Sequence, residues 1–437
     1  MKKYYQAALA LTAAFSLIAL LFYRHEYNKL RFVLQVFNYF GTPSQNPANE
    51  TCSLSTNKFQ SDFSDPSSTW QRLSDDLQVF SAYHIDEEVR AIAFGNTNYL
   101  KSRVFTCAIF TNAENPQRIP GHFSYEIMSE DDSIDVAYVN GVKFYGLVLI
   151  CKGQHVSKHE RITGVQFFEG EKSKKAIVKV RKIGETGMRN DSVICVAPPN
   201  LNKDEALGKR MDMITFIAFH RNIGLDNFIV YDFGIPDVFN FGMKSLSGVL
   251  NRNFTYSTVA WNFPHEGVDY RVIRHLVESD CLYRTFGRAR LAVTLMWNEY
   301  INLKYHSTMS SVISDFNKVA GGSKSGDPFG VETFVFCVEG SSGDSLNFST
   351  PMILSTTKRL RGEANKEDRH IYELEDKGKV FKKRNFRRKL DDLVRVYKYE
   401  GCGGDQEVVE NQVLRFAKNT PGSTVFQYYI SGKLFSD

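Results

Sequence analysis

The hydrophobic pattern near the start of the chain is a single long apolar run. It extends from residue 7 to residue 22 and follows two lysines. With its flanking tyrosines the run covers about 20 residues, which is the length a helix needs to cross a bilayer. No small-x-small cleavage pattern follows before Tyr23, so we predict an uncleaved transmembrane signal anchor over residues 7–23, behind a cytosolic tail of residues 1–6. A cleaved signal peptide, which would release a secreted binding protein, is the alternative.

The pattern after the anchor predicts a stem and then a β-rich domain. Residues 24–69 end in a stretch rich in Ser, Thr, Asn and Pro that has no hydrophobic period, which is typical of a flexible stem. Residues 70–185 carry short β-branched or aromatic runs separated by Gly, Asn and Asp, which predict strands. We expect a sandwich that supports the following domain, and a carbohydrate-binding role is the alternative. The runs are Val89–Phe94, Val104–Phe110, Val136–Tyr138, Val142–Cys151 and Ala176–Val180.

Helical and strand patterns alternate within the predicted domain of residues 190–437. Strands joined by helical crossovers imply a parallel α/β sheet, and ligands bind at the carboxyl ends of such strands. We therefore expect Asp232, the segment Trp261–His265 and the pair Asn298-Glu299 to lie along one edge. The predicted helices cover about 203–222, 237–251 and 268–284, and the predicted strands cover 227–231, 256–261 and 289–296.

Four segments of this region resemble glycosyltransferase family 92 in order and spacing, over roughly the catalytic two-thirds of the chain. They are Cys195-Val196-Ala197-Pro198-Pro199, Asn222-Ile223-Gly224 to Tyr231-Asp232, Asp280-Cys281-Leu282-Tyr283-Arg284 and Trp297-Asn298-Glu299-Tyr300-Ile301. A set of motifs at matching spacing is far more specific than any one of them. The resemblance implies a GT-A-like nucleotide-sugar-binding fold and transfer of galactose from UDP-galactose to a glycan on a glycoprotein or glycolipid. It also implies a Golgi membrane protein of type II with a lumenal catalytic domain.

The chain departs from the family at the metal site. Where the resemblance implies an Asp-x-Asp motif that holds Mn²⁺, this chain has Met296-Trp297-Asn298, followed by Glu299. Asn298 and Glu299 still offer oxygens for a weakened metal site. Arg274 and Lys398 stand where the family has other residues, and two basic side chains near a diphosphate can replace a cation. A metal-independent transferase and a catalytically inactive glycan- or protein-binding relative both remain open.

The resemblance and the edge of the predicted sheet together nominate site residues. Glu299 and Asp280 are the candidate catalytic carboxylates, although each could instead have a structural role. Asp232, Arg274, Trp297, Asn298 and Lys398 are the candidate nucleotide-sugar ligands. The alternative for Asp232 is to cap the next turn, and the alternative for Trp261 and Trp297 is core packing. His265 and His370 are candidate bases without an identified partner.

Composition narrows the class of protein. The net charge of +5 in 437 residues argues against nucleic-acid binding. Seven scattered cysteines, with no C-x-x-C pair, indicate disulfides rather than zinc, with one cysteine left over or bonded between chains. Glycosylation sequons begin at Asn49, Asn190, Asn253 and Asn347, which fits a lumenal chain.

Overall fold

The computed structural model describes residues 69–430 in part. Gaps fall at 112–116, 129–135, 154–160, 171–176, 184–189, 199–209, 233, 251–253, 266, 320–327, 339–352, 354–357, 361–364, 375–387, 390–392, 401–405 and 410–413. The described part is a mixed α/β structure with β-rich sheets and few helices, which confirms the coarse class predicted from the sequence. None of its helices is long and apolar enough to span a membrane. The predicted anchor and most of the predicted stem lie outside the described residues.

The first strands form one sheet that closes on itself, so the predicted sandwich is wrong. The sheet has nine strands in the order β1-β2-β3-β7-β5-β4-β8-β9, with β6 paired to β7, and β9 pairs back to β2. We call it the closed sheet. Its elements are β1 (Gln71–Ser74), β2 (Leu77–Ile85), β3 (Glu88–Gly95), α1 (Thr97–Ser102), β4 (Phe105–Thr111), β5 (Gln117–Ile127), β6 (Val136–Val139), β7 (Val142–Gly153), β8 (Ile162–Glu169) and β9 (Val178–Lys182).

A disulfide fixes the interior of the closed sheet. Cys107 on β4 and Cys151 on β7 are bonded although β5 lies between their strands in the pairing order. The bond is possible because β5 has Gly121 at this point. A Cβ atom there would lie 2.6 Å from Sγ of Cys151 and 2.9 Å from Sγ of Cys107. Gly121 is therefore required by a close approach and not by a turn.

The second sheet starts with four parallel strands in the order β12-β11-β10-β13. Each strand after the first is preceded by a helix that runs back across the sheet, as the alternating sequence pattern predicts. The parallel pairing confirms that prediction. The elements are β10 (Asn190–Val196), α2 (Arg210–Asn222), β11 (Asn227–Asp232), α3 (Asp237–Leu250), β12 (Thr255–Ala260), α4 (Tyr270–Thr285) and β13 (Ala289–Leu295). All three predicted strands are present within one residue of their predicted bounds.

Later strands extend this sheet beyond β13. A strand from late in the chain pairs antiparallel with β13, and the strand that begins at Glu299 pairs with another late strand. The elements are β14 (Glu299–Leu303), α5 (Met309–Val319), β15 (Phe329–Cys337), β16 (Lys358–Leu360), β17 (Asn365–Glu373), β18 (Arg388–Lys389), β19 (Val394–Glu400), β20 (Gln406–Val409), α6 (Leu414–Ala417), a 3₁₀ turn (Thr420–Gly422) and α7 (Thr424–Ile430). Here β17 is the antiparallel neighbour of β13, and β14 pairs with β19.

Helix α4 is packed between the two sheets. Every residue from Leu276 to Thr285 is buried, which is unusual for a helix and requires cover on all sides. Apolar side chains from β2, β3 and β7 share one core cluster with side chains from α4, β10 and β11. Cys281 on α4 is bonded to Cys195 on β10, which ties the helix to the parallel sheet. The described residues all belong to one compact unit.

The two disulfides in the described part are consistent with a secretory protein. Cys337 is also disulfide-bonded. The predicted domain border between residues 185 and 190 falls beside a stretch that is not described and stays a prediction.

Candidate functional site

The candidate site lies at the carboxyl ends of the parallel strands. Strand β11 ends at Asp232, β12 is followed by Trp261, and β13 is followed by Met296, Trp297 and Asn298. The strand order reverses between β10 and β13, because the chain moves outward from β10 to β12 and then returns to the other side of β10. Ligands of open α/β sheets bind in the crevice at such a reversal. The expected alignment of these residues along one edge is confirmed.

The four residues after β13 form a tight turn closed by Glu299. The backbone N–H of Glu299 donates to the carbonyl of Met296 at 3.0 Å, and the N–H of Met296 donates to Oε2 of Glu299 at 2.9 Å. We call Met296–Glu299 the β13 turn. Both main-chain and side-chain atoms of Glu299 thus hold the turn in one shape.

The second carboxylate oxygen of Glu299 is bound to Arg369 on β17. The guanidinium donates to Oε1 from Nε at 3.0 Å and also from an Nη atom. Both side chains are fully buried. Burial alone would raise the pKa of Glu299, but Arg369 and, more weakly, Arg274 hold that pKa below its ordinary value. Glu299 is therefore an ionised carboxylate whose two oxygens are both engaged within the protein.

Two predicted basic ligands lie beside the β13 turn. Lys398 on β19 is paired in register with Glu299, and its ammonium contacts Glu400 at 2.7 Å and the Tyr270 hydroxyl at 3.1 Å. Burial would lower the pKa of Lys398, but Glu400 and Tyr270 raise it above its ordinary value. Arg274, one turn along α4 from Tyr270, lies 3.6 Å from the Glu278 carboxylate. Both side chains are almost fully buried.

Asn298 and Trp297, the other two polar side chains of the β13 turn, differ in their hydrogen bonds. The Asn298 amide nitrogen donates to the carbonyl of Tyr399 at 2.8 Å, and the Tyr399 N–H donates back to the Asn298 carbonyl at 2.9 Å. Trp297 packs edge-on against Phe216 of α2, with ring centroids 5.2 Å apart. Its indole N–H is buried and has no acceptor within the described structure. Trp297 therefore packs in the core, and its indole N–H makes no hydrogen bond within the described residues.

Asp232 caps the turn that follows β11, which was the alternative to its predicted role as a nucleotide-sugar ligand. Its Oδ1 accepts hydrogen bonds from the N–H groups of Gly234 and Ile235, both at 2.8 Å. Its Oδ2 accepts from the Asn240 amide at 2.6 Å, and Asn240 in turn accepts from the Tyr256 hydroxyl. The side chain is half-buried, and its hydrogen bonds fix the chain that leads from the end of β11 into α3.

Asp280 lies away from the β13 turn. It follows Tyr270 by ten residues on α4, which is about 15 Å along the helix axis. Its oxygens accept from Tyr83 and Tyr231, each at 2.6 Å, from Ser81 and from Nε of Arg284 at 2.9 Å. Burial opposes ionisation, but Arg284 and the three hydroxyls hold the pKa of Asp280 below its ordinary value. This geometry ties α4 to β2 of the closed sheet and to β11.

The other candidates are distributed around the same edge. His265 packs against Phe94 and Phe144 of the closed sheet, and its Nε2 lies 3.1 Å from the Gln78 side-chain oxygen. His370 is on β17, next to Arg369. Trp261 is buried against Phe80, Trp70 and Tyr231, which is a packing role. Asn190 begins β10, and the sequons at Asn49, Asn253 and Asn347 lie outside the described residues.

The donor atoms of the β13 turn do not fit a divalent metal. A hard cation such as Mn²⁺ needs several free oxygen lone pairs directed at one point. Both carboxylate oxygens of Glu299 already accept hydrogen bonds, from Arg369 and from the Met296 N–H. The side-chain amide nitrogen of Asn298 donates to the carbonyl of Tyr399. No cluster of three His, Cys, Asp or Glu side chains suited to a metal occurs in the described part of the chain.

Sequence reasoning missed Arg369 and Tyr270. Arg369 is 70 residues from Glu299 in the chain and stands in a polar stretch with no motif around it. Tyr270 begins α4 and has the pattern of an ordinary first-turn residue. Arg369 reaches the β13 turn through the pairing of β13 with β17, and Tyr270 reaches it through its contact with Lys398, which the pairing of β14 with β19 brings beside Glu299. Neither pairing leaves a local signal in the sequence.

Comparison with known proteins adds no relative, since the chain matches no protein-family model and no curated protein at a significant level.

Proposed function

We propose that this protein is a glycosyltransferase that moves a hexose, galactose by resemblance, from a UDP-sugar onto a glycan in the secretory pathway. The observation that carries the proposal is the strand reversal between β10 and β13, with the β13 turn at its carboxyl edge. A crevice at that point suits a nucleotide, and the family motifs fall on the same residues. The predicted Golgi membrane location, with one N-terminal anchor, belongs to this proposal.

Positive charge for a diphosphate is available at this edge. Lys398 and Arg274 flank the β13 turn, and helices α3 and α4 both begin at the carboxyl edge. The N-terminal end of a helix favours an anion, and Lys and Arg bind phosphate oxygens directly. Stabilising the departing UDP is the main electrostatic task in such a transfer. We therefore assign Lys398 and Arg274 to the diphosphate.

The roles of the two predicted carboxylates follow from their contacts. Glu299 holds the β13 turn with both oxygens, so we assign it to positioning Trp297 and Asn298 beside the donor. Asp280 is sealed by four donors, and we assign it to the joint between α4 and the closed sheet. The group that accepts the acceptor's proton is then neither of them. His265, half-buried on the segment after β12, is the described candidate.

The second candidate function is a catalytically inactive relative that keeps the fold and binds a glycan or a protein. One observation favours it, which is the full engagement of Glu299 within the protein. The two functions differ in their need for a nucleotide. A transferase binds UDP-galactose and releases UDP, whereas a binding relative recognises only the acceptor.

The experiment is calorimetric titration of the full chain with UDP and UDP-galactose, once with Mn²⁺ and once with chelator, followed by an assay for released UDP. Binding that persists in chelator, together with UDP release in the presence of glycan acceptors, supports the transferase. A folded sample that binds neither nucleotide under either condition supports the inactive relative. Lys304→Met serves as a control for loss of a lysine outside the site, since Lys304 lies over the Tyr305 ring at the far end of β14.

A further inference from the structure

The Arg369 guanidinium lies where a cation is needed beside the β13 turn. It donates to Oε1 of Glu299 from Nε and from an Nη atom, so this one carboxylate oxygen accepts two charge-assisted hydrogen bonds, which are stronger than neutral ones. Both side chains are fully buried, so water does not solvate either charge. Removing either partner would leave the other as an uncompensated buried charge.

The same contact fixes the shape of the turn. Glu299 holds the Met296 N–H with Oε2 while Arg369 holds Oε1. The carboxylate therefore cannot swing toward the crevice without losing one of these bonds. Asn298 is fixed separately by its two hydrogen bonds to the Tyr399 backbone. The turn is thus held in one conformation by protein groups alone.

We propose that Arg369 is a resident cation that replaces a divalent metal at the β13 turn. Its charge compensates Glu299 and organises the turn permanently, so this position does not take up Mn²⁺. Strand β17 delivers the guanidinium because it pairs antiparallel with β13 and brings residue 369 to the carboxyl edge. The inference deepens the proposed function, but its test does not depend on nucleotide binding.

Charge in the neighbourhood agrees with this assignment. Arg274 adds a second positive charge that acts on Glu299 from α4, and Lys398 stands in register with Glu299 on β19. The nearby carboxylates of Glu278 and Glu400 are held by Arg274 and Lys398 respectively. A Mn²⁺ ion at Glu299 would have to displace one of the cations that already surround it.

The test is electron paramagnetic resonance of Mn²⁺ mixed with the purified full chain, without nucleotide. We expect the free Mn²⁺ signal to keep its full amplitude with wild type and with Glu299→Gln. With Arg369→Met we expect the signal to fall, because the freed carboxylate accepts the ion. In the double variant Arg369→Met/Glu299→Gln the signal should return to full amplitude. Arg221→Met is the control, since it removes an arginine from a pair with Asp226 at the opposite edge of the sheet, where the parallel strands begin.

Thermal melts provide a second readout on the same samples. Mn²⁺ should raise the Tm of Arg369→Met and leave the Tm of wild type and of the double variant unchanged. The proposal is overturned if wild type binds Mn²⁺ and Glu299→Gln abolishes that binding, or if a folded Arg369→Met gains no Mn²⁺ response. If Arg369→Met does not fold, the comparison of wild type with Glu299→Gln decides alone. Loss of UDP binding with these Mn²⁺ results intact would count against the transferase and not against the resident cation.

Discussion

Tyr83 of the closed sheet donates a hydrogen bond of 2.6 Å to the buried carboxylate of Asp280 on α4. With Tyr231, Ser81 and Arg284 as further donors, this one side chain joins β2, β11 and α4. The closed sheet and the parallel sheet therefore share a polar joint inside their common apolar core. A buried charge is tolerated here because every oxygen is bound.

Asp280→Asn should weaken this joint severely. The amide keeps the shape of the side chain but leaves Arg284 as a buried, uncompensated charge, which typically costs about 3–5 kcal/mol. Urea unfolding followed by tryptophan fluorescence measures the loss. The matched control is Asp226→Asn, because Asp226 is 38% exposed where it pairs with Arg221, and ion pairs near the surface contribute at most about 1 kcal/mol. Similar losses in the two variants would contradict the assigned role.

Gly121→Ala should destabilise the oxidised protein by about 1–3 kcal/mol, the usual cost of overpacking. The added methyl group would meet both sulfur atoms of the Cys107–Cys151 disulfide. In a Cys107→Ala/Cys151→Ala background the same substitution should cost much less, because the sulfur atoms are gone. Thermal unfolding of the four proteins in this cycle measures the coupling. Equal costs in both backgrounds would show that another contact requires the glycine.

His220 should make the protein less stable as the pH falls. Its ring is fully buried, and burial lowers its pKa from 6.5 to about 3. Nδ1 donates to the Phe216 carbonyl and Nε2 accepts the Ile301 N–H, which requires the neutral ring. Below pH 6.5 the imidazole of His220 is protonated in the unfolded chain but stays neutral in the folded chain. The free energy of unfolding therefore decreases progressively as the pH falls from 6.5 to about 3.

The variant His220→Phe isolates this effect. It has a lower stability at neutral pH but cannot take up a proton, so its stability should depend less on pH than that of wild type. Urea midpoints between pH 4.5 and 7 measure both slopes; in this range Asp280 and Glu299, whose pKa values are lowered, contribute little change. Parallel slopes would mean that His220 is not the group responsible.

Lys398→Met should weaken UDP binding at least roughly tenfold, which corresponds to about 1.4 kcal/mol. The variant removes a buried ammonium beside the β13 turn, and chelator should not change the result in either protein. Calorimetry of wild type, Lys398→Met and Lys304→Met makes the comparison. An affinity that is the same in all three proteins would remove Lys398 from the diphosphate site while leaving other parts of the proposal intact.

The order of helices and strands in the parallel sheet was predictable from the sequence. Each of β11, β12 and β13 is a short segment of six or seven residues rich in β-branched, aromatic or aliphatic side chains, and each helix between them has a clear period. Local pattern is enough to define such elements, and the right-handed crossover rule then leaves few arrangements. The position of Asp232 and Asn298 at the carboxyl edge followed from that reasoning alone.

The closed sheet was only partly predictable. Strand β2 is buried on both faces yet includes Gln78, Ser81 and His84, so its sequence lacks the alternation of a half-exposed strand. Its polar residues are tolerated because they meet partners such as Asp280 and His265. Closure depends on the pairing of β2 with β9, which are separated by about a hundred residues. No local pattern encodes such a contact.

The position of the candidate site in the fold could be predicted from the sequence, but the contacts of its side chains could not. Glu299 lies in one of the segments on which the family resemblance was based, and nothing in the sequence around it shows that Arg369 occupies its carboxylate. The contact is made between strands whose connection includes α5 and β15. Sequence reasoning assigned the replacement cation to Arg274 and Lys398, which do flank the turn, and missed the one that binds Glu299 directly.

The partners that hold the β13 turn are all encoded after it, and the last of them, Tyr399, comes 101 residues later than Asn298. At a synthesis rate of about 5–20 residues per second, the ribosome needs roughly 5–20 s to supply them. During that interval the closed sheet and the parallel strands can already assemble, while the carboxylate of Glu299 lacks Arg369, the cation that binds it directly. The final strands thus set the moment at which a nascent chain acquires the full set of contacts that hold the β13 turn.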